Sequence, residues 1–447
     1  MQPYLPHLAP WDSQLQPVEN LALAEREARL TTLLQGNLDF HGKDNADPRH
    51  QLHPFPAKYP PQLPRLFIQH LTAPGEVVLD PMMGSGTTLL EAQRLQRVAL
   101  GSDIDPLALT LVAAKSYPPS PSEWSQAWKR MLSRARRWLE RPEDLNREQQ
   151  RRFDPATRDF LDYWFLPQTQ QALLALTLAL EEEPRVAVRR FARVVFSSLI
   201  IAKSGTVAQA RDLSHTRPHR VQRPPKPVLE LFAQKAQRAQ RILQSGPPRP
   251  PGHTFIVEAD AQRLPWAEGR VALIVTSPPY AANAIDYMRA HKFSLVWWGY
   301  PVKKLGALRK EYIGGEAVQG VTMEPLPPIA NEAVQRIASV DAKKARVLQR
   351  YYSEMRRVLR EMVRVLQPGG IAILVVGDST MRGLSTRTPE SLAAIGEQVG
   401  LRHVGTGERQ LDRDRRMMPA RRGAIGSAIE RRMHVEYVLG FVRPRGE

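Results

Sequence analysis

Two short stretches hold residues whose types and spacing could do chemistry. The first is Asp80-Pro81-Met82-Met83-Gly84-Ser85-Gly86-Thr87-Thr88, set between an apolar run and a helix-forming run. Its glycines let the backbone approach a ligand closely. A helix start there offers unpaired N–H groups and a positive dipole end to a carboxylate or phosphate, and Ser85, Thr87 and Thr88 add hydroxyls. The pattern is neither the dinucleotide GxGxxG nor the P-loop, which needs Gly-Lys-Ser/Thr. The second stretch is Ser277-Pro278-Pro279-Tyr280, directly after RVALIVT. Proline has no N–H to give a strand ladder, so the strand ends here in a stiff corner.

Acids recur where other strands should end. Asp103, in GSDIDP, follows Asp80 at the spacing of one strand–helix–strand step. A carboxylate at that strand end can take the ribose hydroxyls of a nucleoside. Asp260 closes TFIVEAD, where it could accept from an adenine amino group. Pro81, Asp105 and Ala261 lie beside these three acids and join the expected cofactor set, and Lys58 is placed to approach a cofactor carboxylate. Carboxylate, ribose and adenine sites on one sheet edge describe S-adenosylmethionine better than NAD.

The elements that must position these residues alternate between strand and helix. GEVVLD, RVALGSD, TFIVEAD, RVALIVT and GGIAILVVGDS read as strands, and LRHVGTGERQL and HVEYVLGFV as a final pair. Strands alternating with helices predict an α/β, doubly wound, Rossmann-like parallel sheet covered on both faces. Residues 120–245 break the pattern, with helical periodicity, much Arg, Gln, Leu and Ala, and best helices at 121–140, 168–181, 186–204 and 228–244. The organisation expected is an N-terminal helical extension (1–50), a cofactor-binding half (51–118), a helical insertion (119–250) and a catalytic half (251–447).

Bulk composition narrows the class. The 447 residues are 42% hydrophobic and 24% charged, ordinary for a globular protein. No apolar run approaches a membrane span and the N-terminus is not a secretory signal, so a cytoplasmic protein is expected. Lys and Arg outnumber Asp and Glu by 63 to 45, for a net charge of +18. That excess suits a polyanionic partner such as nucleic acid. Cysteine is absent, which removes disulfides, thiolate metal sites and thiol nucleophiles together. The 11 histidines show no metal-ligand spacing, so no metal is expected.

DPMMGSGTT, GSDIDP, EADAQRLP and TSPPY, in this order, resemble the amino-methyltransferases of DNA. HPFPAKYPPQLP, just before the glycine-rich turn, is similar to that family's tenth motif, which completes the methionine end of the cofactor pocket. The Ser-Pro-Pro-Tyr form is typical of the branch acting on the 4-amino group of cytosine. The resemblance implies an S-adenosylmethionine-dependent enzyme acting on double-stranded DNA. Catalysis falls to Ser277, Pro278, Pro279 and Tyr280, and target reading to the insertion. A restriction endonuclease is the implied companion. The oligomeric state is not legible. Adenine N6 methylation, an RNA amino-methyltransferase and an inactive binding module are the competing readings. Methylation at carbon 5 of cytosine, which needs a thiolate attacking the ring, is excluded.

Other residues could also contribute. Asn283 and Asp286 could touch the base or the DNA backbone, and Asp378 lies at another strand end. MRAHKFSLVWW (288–298) reads as core packing. The Arg clusters at 134–137, 410–422 and 430–432 could meet phosphates.

Overall fold

The computed structural model describes residues 23–40, 47–56, 58–202, 205–211, 213, 218–246, 252–281, 286–411 and 435–445. Nine strands form among them: β1 (Val77–Asp80), β2 (Val98–Asp103), β3 (Thr254–Glu258), β4 (Val271–Thr276), β5 (Leu366–Gly377), β6 (Thr380–Met381), β7 (Leu384–Ser385), β8 (Arg402–Gln410) and β9 (Val435–Val442). Seven make one sheet in the order β3-β2-β1-β4-β5-β9-β8, and β6 and β7 form a separate hairpin. β1 to β5 run parallel, and β9 lies antiparallel between β5 and β8.

Each central strand alternates sides, as the period of two requires. Val78, Leu273, Val275, Ile373 and Val375 enter one core, beneath the helices Leu23–Gln35 and Gln62–Leu71. Leu79, Ile274, Leu374 and Val376 enter the other, against Ala342–Val365 and Thr388–Gln398. Both faces are covered, so β4 and most of β5 read as continuous apolar runs. The doubly wound sheet is thereby observed. Two helices precede β5, Pro328–Ala338 and Ala342–Val365, split where Asp341 caps the second by accepting from the Lys344 N–H.

Residues 121–245 hold helices and their connections, with one isolated bridge between Ala210 and Arg220 as the only β pairing among the described residues. Besides the expected helices there are two more, Pro142–Arg152 and Pro155–Trp164. Pro occupies the first turn in both, where its missing N–H costs nothing. The block shares a core with Leu107, Leu111 and the 288–298 segment, where Phe293 and Trp297 pack edge-on to Phe160 and Phe165. The packing expected of 288–298 is what the structure shows. No helix among the described residues is long and apolar enough to cross a membrane.

The chain leaves β1 through a tight turn that places Gly86 at φ +78°, as the N-cap of helix Thr87–Arg94. A Cβ there would lie 2.7 Å from Cγ2 of Val112, a buried, β-branched side chain stiff at χ1. Gly86→Ala adds left-handed backbone strain to this overlap, and should lower the unfolding free energy by about 2–4 kcal/mol in a urea titration.

Candidate active site

The parallel strands end on one edge, and β1 and β4 are neighbours at the point where strand order reverses, the usual place for a ligand crevice. One cavity lies there. Its walls include Lys58, Asp80, Pro81, Gly84, Ser85, Thr87, Asp103, Asp105, Asp260, Ala261, Ser277 and Pro279. Residues expected to hold a cofactor and residues expected to do chemistry thus meet in one space. Four expected site residues lie outside the wall. Gly86 and Thr88 sit behind the turn, with Thr88 Oγ1 donating to the Val275 carbonyl at 3.0 Å. Pro278 and Tyr280 belong to the corner but do not line the cavity.

The glycine-rich turn is held from several sides. Lys115 is fully buried, and its Nζ donates to the Ser85 carbonyl at 2.7 Å. The Gly84 N–H donates to Asp103 Oδ2 at 2.9 Å. No side chain caps helix Thr87–Arg94, so its first N–H groups stay available. The preceding Pro-rich loop is anchored by a buried cluster in which His50 Nε2 and Arg65 Nε each lie 2.7 Å from the Glu91 carboxylate. Burial would raise Glu91, but these two partners outweigh it and hold its pKa below the usual range. That anchoring fixes Lys58, whose Nζ donates to the carbonyls of His50 (2.8 Å) and His53 (3.3 Å) while facing the cavity.

The acids are not equivalent. Asp80 accepts from the Thr276 hydroxyl at 2.7 Å and from the Met82 N–H at 3.2 Å. Burial nonetheless pushes its pKa up to about 6. Asp103 accepts from the N–H groups of Gly84 and Asp105, and burial beside the Asp105 charge raises it to about 7. Asp105 goes the other way: burial is overcome by His291 and by hydrogen bonds, so it stays ionised. One of its oxygens caps helix Pro106–Ser116, and the other takes His291 Nδ1 at 2.5 Å and the Tyr312 hydroxyl at 2.7 Å. Although expected to bind cofactor, Asp105 is committed to holding its own surroundings together. Asp260 is exposed and folds over the Gln262 N–H at 2.9 Å, leaving its carboxylate at the cavity mouth.

Beyond the corner, the Tyr280 hydroxyl donates to Glu436 Oε1 at 2.9 Å. Glu436 in turn pairs with Arg409. Sequence reasoning missed Glu436, whose one signal is a carboxylate opening an otherwise apolar strand, VEYVLGFV. It also missed the aromatic wall. Phe55 stacks on Tyr287 at 5.5 Å and 25°, and both line the cavity. Tyr59, on the opposite wall, joins Thr88 and reaches Asp80.

Other candidates are spent elsewhere. Asp286 caps helix Tyr287–Leu295 and pairs with Arg289 and Arg309. Asp378 accepts from Ser385, Thr386 and nearby backbone N–H groups, which ties the β6–β7 hairpin to β5. In the 134–137 cluster Arg134 pairs with Glu182, while Arg136 and Arg137 are exposed. Asn283, the Arg cluster 430–432 and most of 410–422 lie outside the described residues.

An open α/β sheet with an acid-lined crevice at its reversal point, beside a Ser-Pro-Pro-Tyr corner, makes up the candidate site. Residues 27–115 match the family described as DNA methylase. The Type II methyltransferase M.MvaI of Kocuria varians is 23% identical over 407 residues, covering 86% of this chain and 88% of that one. The Type II methyltransferase M.MjaII of Methanocaldococcus jannaschii is 35% identical over 66 residues, 15% of this chain and 12% of that one. Among solved structures, one from Thermus thermophilus described as a DNA modification methylase has 20% identity and a TM-score of 0.22, covering 42% of this chain and 52% of that one. A SAM-dependent methyltransferase of Methanosarcina mazei has 9% identity and a TM-score of 0.32, covering 87% and 99%. The family match over 27–115 and these relatives agree with the resemblance of the motifs to the amino-methyltransferases of DNA.

The raised Asp80 pKa has a sign that can be tested. A carboxyl that holds its proton more tightly folded than unfolded destabilises the fold as pH rises from about 4, and the penalty is complete above about 6. Comparing Asp80→Asn with the parent by urea unfolding at pH 4 and pH 7.5, the difference should move toward the variant by about 2 kcal/mol at the higher pH.

Proposed function

We propose that the protein transfers a methyl group from S-adenosylmethionine to the exocyclic amino group of cytosine in double-stranded DNA. One observation carries this reading: the three strand-end acids Asp80, Asp103 and Asp260 share a single cavity with Ser277 and Pro279.

The donor set fits that cofactor. Asp103 suits a ribose diol and Asp260 an adenine amino group, with apolar wall from Ile104 and Ile313 between them. The other end of the cavity offers Lys58, the backbone of Gly84 and Ser85, and the Ser85 and Thr87 hydroxyls to a carboxylate. Two carboxyls poised near neutrality favour a cationic guest, which would draw both into the ionised form. The cofactor supplies a methyl group made electrophilic by its sulfonium.

The protein's share is to prepare the amine. An exocyclic amine is a weak nucleophile because its lone pair is shared with the ring. Acceptors for its two N–H groups pull the nitrogen toward tetrahedral geometry and stabilise the positive charge that develops on it. Ser277 Oγ and the Pro278 carbonyl are assigned that role. The diproline corner fixes the carbonyl's direction before the base arrives, so little reorganisation remains. Reaching this corner requires the base to leave the duplex, and Tyr280 offers a ring to stack it. The basic helical block 119–250 is assigned to target recognition, with phosphate contacts supplying affinity.

The Ser-Pro-Pro-Tyr form supports cytosine over adenine as the substrate base. The test is transfer of labelled methyl to mixed-sequence duplex DNA and to RNA, followed by nucleoside analysis. N4-methylcytosine in DNA is expected. Label only on adenine would refute the base assignment, and label only on RNA the substrate class. Ser277→Ala should lower kcat about 100-fold with cofactor affinity within a factor of about two.

A further inference from the structure

A second cavity is lined by residues 50–54, by Lys58 and by the helices Val186–Ile200 and Val228–Ser245. Its volume is about 420 Å³, far more than one water needs. Its charge is the reverse of the first. The first cavity is lined by Asp80, Asp103, Asp105, Asp260 and Glu311 against the single cation Lys58. The second is lined by Lys58, Lys235 and Arg238 and by no carboxylate. Lys235 is half-buried and Arg238 exposed. They lie three residues apart on one helix, hence on one face, where like charges repel. No Asp or Glu occurs from 231 to 245 in that helix. Elsewhere in the helical block arginines are matched: Arg130 and Arg185 to Glu183, Arg134 to Glu182, Arg152 to Glu181. Neither Lys235 nor Arg238 has such a partner among the described residues. Burial and the Arg238 charge accordingly hold the Lys235 ammonium below its ordinary pKa. The wall also contains His53, 1% exposed, whose Nε2 lies 2.9 Å from Ser197 Oγ while its Nδ1 has no partner among the described residues. A buried ring nitrogen in that state calls for a ligand atom or an ordered water.

We propose that this second cavity is a phosphate-binding site. A guanidinium and an ammonium on one helix face can flank a single phosphate, Arg238 through paired N–H donors and Lys235 as a point charge. Partial removal from water strengthens these contacts, and the anion offsets the repulsion between the two cations. Two sources carry such a group, the backbone of DNA and free phosphate. Only the first rests on the reading of the protein as a DNA methyltransferase. A phosphate held here would rest against the loop whose Lys58 is assigned to the cofactor carboxylate.

The test is acetylation of lysines in the full-length protein at fixed ionic strength, read residue by residue by mass spectrometry. Lys303 and Lys304, exposed and outside both cavities, are the controls. As inorganic phosphate replaces chloride, labelling of Lys235 should fall, by about sixfold once phosphate reaches about five times its Kd, while the controls hold. The same measurement is made with a short duplex DNA. Protection of Lys235 by the duplex assigns the phosphate to the DNA backbone, and protection by inorganic phosphate alone assigns a free anion. Labelling of Lys235 that is equal in chloride, phosphate and duplex, or that falls only as far as that of Lys303 and Lys304, overturns the proposal. For the backbone assignment, Lys235→Gln with Arg238→Gln should lower the slope of log K against log salt for duplex binding by about 1. An unchanged slope refutes the backbone as the source. If the double variant does not fold, labelling of the parent decides. A parent that binds no DNA refutes the DNA-methyltransferase reading, and the phosphate titration still tests the cavity.

Discussion

A buried hydrogen bond joins the first acid of the glycine-rich turn to the end of β4. The Thr276 hydroxyl donates to Asp80 Oδ1 at 2.7 Å, linking positions 196 residues apart in sequence. Asp80 opens the glycine-rich turn, and Thr276 immediately precedes the diproline corner. Because β1 and β4 are adjacent and parallel, their ends stand about one strand spacing apart, ~4.8 Å. The distance from the turn to the corner is thus set by sheet register, with no contribution from loop conformation. β2 on the other side of β1 places Asp103 by the same rule. A one-residue slip of β4 would move Thr276 away from Asp80 and also turn its apolar side chains to the wrong core. Packing therefore enforces the register on which the chemistry depends.

That arrangement concentrates acid where water is scarce. Asp80 and Asp103 are both raised by burial, and Asp105 close by stays ionised only because His291 and Tyr312 hold it. Like charges so close would oppose folding if all were ionised. The fold meets this with backbone N–H donors from Met82, Gly84, Asp105 and Leu107, dipoles that move little. What remains is an electronegative cleft with an aromatic wall, Phe55 on Tyr287, suited to a flat, positively charged guest.

Much of this was legible in the sequence because it depends on local rules. Pro-Pro ends a strand, Gly-Ser-Gly makes a tight turn before a helix, and apolar runs bounded by acids read as buried parallel strands. The five parallel strands of the main sheet follow from these rules. The site acids Asp80, Asp103 and Asp260 could be named because each sits at or just past the end of such a run. What could not be read was any contact between distant segments. Nothing near Asp105 announces His291 or Tyr312, and nothing near Tyr280 announces Glu436. Asp378 was read at a strand end and Asp286 just past Tyr280, yet the first ties down a hairpin and the second caps a helix, while Asp105 caps a helix even as it lines the cavity. Alternation and turn chemistry reveal where a strand ends. Only the three-dimensional neighbourhood reveals which strand-end polar group is left over for a ligand.

The serine at the corner sharpens that last point. An aspartate in its place would present, when ionised, an acceptor whose polarity is fixed by covalent structure, since a carboxylate oxygen cannot donate. A serine hydroxyl has no such built-in direction and takes whichever role its neighbours leave open. Choosing serine therefore shifts part of the specification from the corner to its surroundings. Next to the serine, the corner's tyrosine gives its own proton to Glu436, which is ion-paired with Arg409. The antiparallel strand β9 is what brings the carboxylate to the right level, because its register against β5 places Glu436 beyond the end of β4. The C-terminal hairpin, remote from every cofactor motif, thus holds the tyrosine of the corner.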